Sequence, residues 1–163
     1  MSLRTAVADA RLIAALLTTA ETEARALGDA EPGAEHLLLA ALLVDDPSAR
    51  DTVRQVAETV DAAAAVRSAI GAVHAASLAA VGVTAPELDG TLPSASGIYH
   101  SEVSAQEVFR RARVLSRGPR EGLHSAHVLL AAAERDHGTV ARVLESLGID
   151  RAALVAAARG AIS

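Results

Sequence analysis

The sequence predicts an all-α fold, and three observations carry that expectation. Ala supplies about a quarter of the 163 residues, and Ala is the strongest helix former and lets helices approach closely. Aromatic residues make up only 1% of the chain, so the β-branched and aromatic alternation that a sheet requires is missing. The third observation is a repeat. Gly33-Ala34-Glu35-His36-Leu37-Leu38-Leu39-Ala40-Ala41-Leu42-Leu43 has a weaker echo in Leu123-His124-Ser125-Ala126-His127-Val128-Leu129-Leu130-Ala131-Ala132, about ninety residues later. Each opens on a small or polar turn, sets a His on the first helical turn and runs into an apolar block. A block without a polar face predicts a helix packed on all sides. Its recurrence predicts two copies of one helical unit.

The elements follow in order. Residues 4–27 form a first helix with Val7, Leu12, Leu16, Ala20 and Leu27 as a rough apolar stripe, and Gly28 stops it. The first packed helix runs from Ala34 to about Val44 and ends at Asp45-Asp46-Pro47. Ser48 is placed to cap a third helix, in which Val53, Val56, Ala57 and Val60 keep helical spacing. From Asp61 the chain is Ala-rich, with Val66, Ile70 and Val73 on one face and with Gly71, Gly82 and Pro86 as interruptions. Residues 84–100, rich in Pro, Gly and Ser/Thr, read as the connector between repeat one (about 4–83) and repeat two (about 101–161), the whole being one domain over 1–163.

In the second repeat Val103, Val108, Ala112 and Leu115 make the apolar stripe, with Arg110, Arg111, Arg113 and Arg117 on the other side. A break at 117–122 precedes the second packed helix. Val140, Val143, Leu144 and Leu147 resume helical spacing, Gly148 ends that helix and Asp150 is placed to cap the last.

Composition narrows the function classes. The net charge is −5 and all 15 basic residues are Arg, which weighs against nucleic-acid binding and excludes any lysine-dependent chemistry, including a P-loop. With no Cys there is no thiol catalysis, disulfide or thiolate metal site. No signal-peptide pattern opens the chain and the Ala-rich run near 68–86 is a poor membrane span, so a cytoplasmic location is expected, with no membrane partner.

The order of elements, with Leu27-Gly28 followed by Gly33-Ala34-Glu35-His36-Leu37-Leu38-Leu39, resembles the N-terminal domain of Clp-type AAA+ unfoldases. Ser125-Ala126-His127-Val128-Leu129-Leu130 and Gly138-Thr139-Val140-Ala141-Arg142-Val143-Leu144-Glu145-Ser146-Leu147-Gly148-Ile149 extend the resemblance to nearly the whole chain, apart from an Ala-rich insertion around 62–83. The resemblance implies two pseudo-twofold-related four-helix repeats and a binding role without catalysis. In the family this domain receives substrates, adaptor proteins and some cyclic-peptide natural products. In the ClpC branch it also binds phosphoarginine through the Glu of a Gly-Thr-Glu-His motif.

Here Glu35 falls on that Glu, but Ala34 replaces the Thr, Asp9 and Ala10 stand near the family's Phe-Thr pair, and Ala126 stands at the second Glu position. The chain therefore resembles a free-standing Clp N-domain of the kind that occurs beside full unfoldases in actinobacteria. The resemblance implies an accessory or decoy of Clp proteolysis that binds clients, peptides or cyclic-peptide antibiotics, with a Clp ATPase as partner. The alternative is a dimerising interaction protein that kept the fold and lost the ligand sites. The implied ligand surface lies where the first helices of the two repeats meet, around Glu35, His36, Val103, Ser104 and Glu107.

Simpler roles stand beside these. Glu35 is a first-turn carboxylate worth about 0.3–1 kcal/mol to the helix dipole. His36 and His127 read as packed or capping residues, and Ser125 as a cap. The 110–117 arginines read as a solvated face, with peptide docking as the alternative. His124 and His127 lack a third metal ligand, and neither a metal nor a cofactor is expected.

Overall fold

A computed structural model describes residues 3–82, 102–118 and 122–163. Among these, eight helices and no strand are present: α1 Leu3–Ala26, α2 Ala34–Leu43, α3 Ser48–Val56, α4 Ala62–Ala80, α5 Val103–Leu115, α6 Ser125–Ala133, α7 Thr139–Ser146 and α8 Arg151–Ile162. The proposed connector, 84–100, lies outside the described residues.

The two apolar blocks are the centre of the molecule. Every residue from Ala34 to Leu42 and from Ser125 to Ala133 is buried. Helices α2 and α6 pack against each other, and the other six surround them. The arrangement is reciprocal: α3 of the first half lies on α8 of the second, and α4 lies on α7. Each fully buried Leu, among them Leu37, Leu38, Leu39, Leu129 and Leu130, contributes about 1.5–3 kcal/mol by leaving water. With so few aromatics, that core is built from Leu, Val, Ile and Ala alone.

Several local expectations change. Helix α4 runs unbroken through Gly71, because the helix backbone accepts a glycine at a modest cost and a Cβ there would meet only Leu27, at 3.8 Å. The Ala-rich segment is thus the fourth helix of the first repeat rather than an insertion. It is also long and apolar enough by composition to cross a membrane, yet Val66 and Ile70 face the core and Arg67 grips Glu23 of α1 with two bonds of 2.7 Å. Helix α3 ends at Val56, leaving Val60 fully exposed in the following turn. Val7 is also largely exposed, so the apolar stripe of α1 meets the core only from Leu12 onward.

Candidate functional site

The starts of α2 and α6 are built on one plan. In both, a His at the third helical position folds back and accepts a hydrogen bond from the backbone N–H just ahead of the helix. Gly33 donates to His36 Nδ1 at 2.9 Å and His124 donates to His127 Nδ1 at 3.0 Å. This satisfies one of the amide groups a helix start leaves over. It also fixes the tautomer of neutral His36: with Nδ1 accepting, the proton sits on Nε2.

What surrounds the two starts differs. At α2, Ser104 Oγ of α5 accepts from Ala34 N at 3.1 Å, and Glu102 N donates to Pro32 O, tying the entry of the second half to this turn. The Glu35 carboxylate turns back beneath Gly33, where it accepts from its own backbone N–H. Two further groups join it. Asp29, in the turn after α1, places Oδ2 3.1 Å from His36 Nε2 and 3.2 Å from His74 Nδ1 on α4. The other nitrogen of His74 lies 3.6 Å from Glu35 Oε1.

His74 therefore bridges two carboxylates. The contact with Asp29, then that with Glu35, outweighs the effect of partial burial and pushes its pKa up to about 10. Burial opposes ionisation of Asp29, yet the approach of both imidazoles holds its carboxyl well below the usual range. Burial likewise opposes ionisation of Glu35, but His74 and the backbone N–H lower its pKa too. Glu35 and His36 are only 7% and 1% exposed. The Glu35 carboxylate is thus an internal partner of His74, which uses the acceptor oxygens that a guanidinium would need.

At α6 the same space is filled by hydroxyls. Ser48 Oγ accepts from Ala126 N at 2.9 Å, and Ser125 Oγ accepts from Ala49 N at 3.0 Å, so each serine caps the other repeat's helix. Ser125 is thus a cap, of α3, and the expected role of Ser48 as cap of the helix it opens is corrected, since it caps α6. Asp46 gathers the network, accepting from Ser48 N at 2.9 Å and Ser125 Oγ at 2.7 Å. Burial opposes its ionisation, but these hydroxyls and amides, with His124, hold the Asp46 carboxyl well below the usual range. His124 stacks on His127 with ring centres 5.7 Å apart and faces Asp46 at 3.3 Å.

A groove opens between α1 and α5. One part, of about 660 Å³, is lined by Leu17, Ala105, Phe109 and Val114 with Arg110, Arg113 and Arg117 at its rim. A second part of similar volume continues past Ile13, Asp9 and Gly122. Gly122 has φ +95, and a side chain there would press on Asp9 Oδ1 and Thr5. Asp9 itself accepts from Leu123 N at 2.9 Å, as Ser104 does from Ala34 N at the other helix start.

The implied site residues divide accordingly. Val103 is exposed and shares its face of α5 with Gln106, Arg110 and Val114, in line with the groove. Ser104 is turned inward as the α2 cap. Glu107 pairs with Arg135 at 2.8 Å, at the end of α6, and is not brought to Glu35. Arg111 is no part of a free basic face, since it makes two bonds to Glu134, at 2.7 and 3.1 Å. Sequence reasoning missed Asp29 and His74 as neighbours of Glu35; 39 residues separate Glu35 from His74, and no local signal links them.

Comparison with protein-family models gave no match, and comparison with curated protein sequences gave none. A solved structure is similar: the N-terminal domain of the caseinolytic protease-associated chaperone ClpD from Arabidopsis thaliana. The two are 22% identical, with a TM-score of 0.59 over 94% of this chain and 95% of that one. The fold is that of a Clp N-terminal domain. The central helices α2 and α6, with their matching helix starts, then belong one to each of two related four-helix repeats.

Proposed function

We propose that this chain is a non-catalytic binding module of the Clp type, which takes up peptide segments in the groove between α1 and α5. In that role it acts as an accessory or decoy of Clp proteolysis, competing for clients or for cyclic peptides directed at the unfoldase. One observation carries the proposal: an open groove with an apolar floor and an arginine rim on a chain that is otherwise acidic, at −5 overall. Leu17, Phe109 and Val114 offer contact area for apolar side chains, while Arg110, Arg113 and Arg117 favour a partner with carboxylates at its edges. Arg113 and Arg117 have no ion-pair partner among the described residues, so a ligand displaces none.

Phosphoarginine ranks below peptide, because Glu35 is buried against His74 and Ala126 stands at the equivalent position of α6. Ala126 also favours the second reading, a dimerising protein without ligand sites.

Titration of fluorescein-labelled casein, an acidic unfolded chain, and of a labelled cyclic peptide that engages Clp N-domains tests the proposal. Binding weakened at least tenfold by Arg113→Glu with Arg117→Glu, and untouched by Glu35→Ala, is the expected result. Absent binding, or binding indifferent to the arginine changes, overturns it. A stable dimer by size-exclusion chromatography, together with absent binding, turns the assignment to the second reading.

A further inference from the structure

We propose that Asp29, Glu35 and His74 form a binding site for one divalent transition-metal ion of the zinc class. The site does not involve the α1–α5 groove and stands or falls separately from the peptide reading. One ligand atom from each of the three residues lies within 4.8 Å of the others. The 3.2 Å between His74 Nδ1 and Asp29 Oδ2 is close to the edge of about 3.4 Å in a tetrahedron with metal–ligand bonds of about 2.0–2.1 Å. One imidazole with two carboxylates suits zinc, cobalt(II) or nickel(II) better than magnesium or calcium, which favour all-oxygen cages.

The second observation is His36, which is 99% buried by its 1% exposure. Its Nδ1 is used by Gly33 N–H, so its proton is on Nε2, which lies 3.1 Å from Asp29 Oδ2. Neither His36 Nε2 nor Asp29 Oδ2 finds an aligned hydrogen bond. Carboxylates that ligate a metal are held by hydrogen bonds from an outer shell, and the unpartnered His36 N–H lies within reach of Asp29 Oδ2 to supply one. An ion that draws Asp29 into its shell also gives His36 an acceptor of the right charge. The tautomer that caps α2 excludes His36 itself as a ligand.

Access and consequence both follow from position. Asp29 and His74 are partly exposed, at 34% and 24% for their side chains, while Glu35 forms the floor. The ligands come from the α1–α2 turn, α2 and α4, so the ion clamps the lightly buried α4 onto the core. Bound at Nδ1, it takes the place of the His74 proton that faces Asp29. Three protein ligands leave one tetrahedral position for water or an outside donor. The equivalent place at α6 has no such capacity, because Ala126 offers no donor and serine hydroxyls already occupy Asp46.

The test is calorimetric titration of the EDTA-stripped protein with Zn²⁺ at pH 7.5, with Co²⁺ absorption as a report on coordination and melting temperature as a report on clamping. One ion per chain, a raised melting temperature and tetrahedral cobalt bands are expected. His74→Ala and Glu35→Gln should each weaken binding at least tenfold, and His124→Ala should leave it unchanged. Should His74→Ala fail to fold, Glu35→Gln and Asp29→Asn decide. No binding by the wild type, or equal affinity in the Glu35→Gln, Asp29→Asn and wild-type proteins, overturns the proposal. So does binding that is lost in His124→Ala instead.

Discussion

The start of α2 and the start of α6 solve one problem with different chemistry. Both are buried helix ends whose free amides need acceptors away from water. At α6 the acceptors are borrowed across the repeat boundary: Ser48 reaches Ala126 N, and Asp46 holds both serines. At α2 the Glu35 carboxylate serves its own amide, and His74 balances the charge that Glu35 and Asp29 bring together there. The difference extends to the residue before each helix. Where Glu35 folds back, position 33 is glycine, since a Cβ there would lie 2.8 Å from both carboxylate oxygens. Where Ala126 stands in place of the Glu, with no carboxylate to fold back, the matching position carries a full side chain, His124. One end gathers hydroxyls and amides round the single carboxylate of Asp46. The other concentrates ionisable groups in a partly accessible spot.

The largest expected effect lies at the hydroxyl end. Asp46→Ala removes the acceptor shared by Ser48 and Ser125 and leaves both helix starts under-satisfied, which should cost about 2–3 kcal/mol in urea unfolding. A loss under about 0.5 kcal/mol would show that the two serines suffice alone. The same group sets an acid limb. Asp46 has a depressed folded pKa, so its contribution is whole above its ordinary value of 3.8 and drains away as the pH falls below that. Asp46→Asn should flatten stability against pH in that range relative to wild type.

Gly33→Ala comes next, at about 2 kcal/mol, through overpacking against Glu35. Gly33 has φ −95, an ordinary value for any residue, so backbone strain adds nothing. The double variant Gly33→Ala with Glu35→Ala should therefore recover most of the loss beyond what Glu35→Ala costs by itself. Strictly additive costs in that cycle would break the link between glycine and carboxylate.

A third contrast is a difference in alkaline behaviour. His74 has its folded pKa raised to about 10 from an ordinary 6.5. Its ion pairs stabilise the metal-free protein fully below pH 6.5, progressively less above it, and not at all once the pH passes about 10. Melting temperatures in EDTA between pH 7 and 10 should fall in wild type and in Asp46→Asn alike, and fall less in His74→Gln. An unchanged slope in His74→Gln would show that the imidazole carries no charge between the carboxylates.

Much of the fold was legible because helices advertise their faces. The two blocks at 34–43 and 125–133, Gly28 and Gly148 as stops, and Asp150 as the last cap all match the structure, with Asp150 accepting from Ala152 N at 2.9 Å. Local rules failed where a tertiary partner took over. Ser48 sits where a helix cap belongs and does cap a helix, but that helix is α6, 78 positions along the chain. Gly71 resembles a helix end by composition, yet packing of Val66 and Ile70 carries α4 through it.

By itself the sequence determined that the chain is all helical, where its two central helices run and that they form a repeat. Composition and period suffice for that, since they decide which stretches can bury a surface. Only the tertiary structure decided which surfaces meet. It set α3 on α8 and α4 on α7, exchanged the serine caps between repeats, and carried His74 to Asp29 and Glu35. Helical periodicity fixes the direction of a side chain about its own axis and is silent on the neighbouring axis. A site assembled from a turn, a helix start and a distant helix therefore has no local signature.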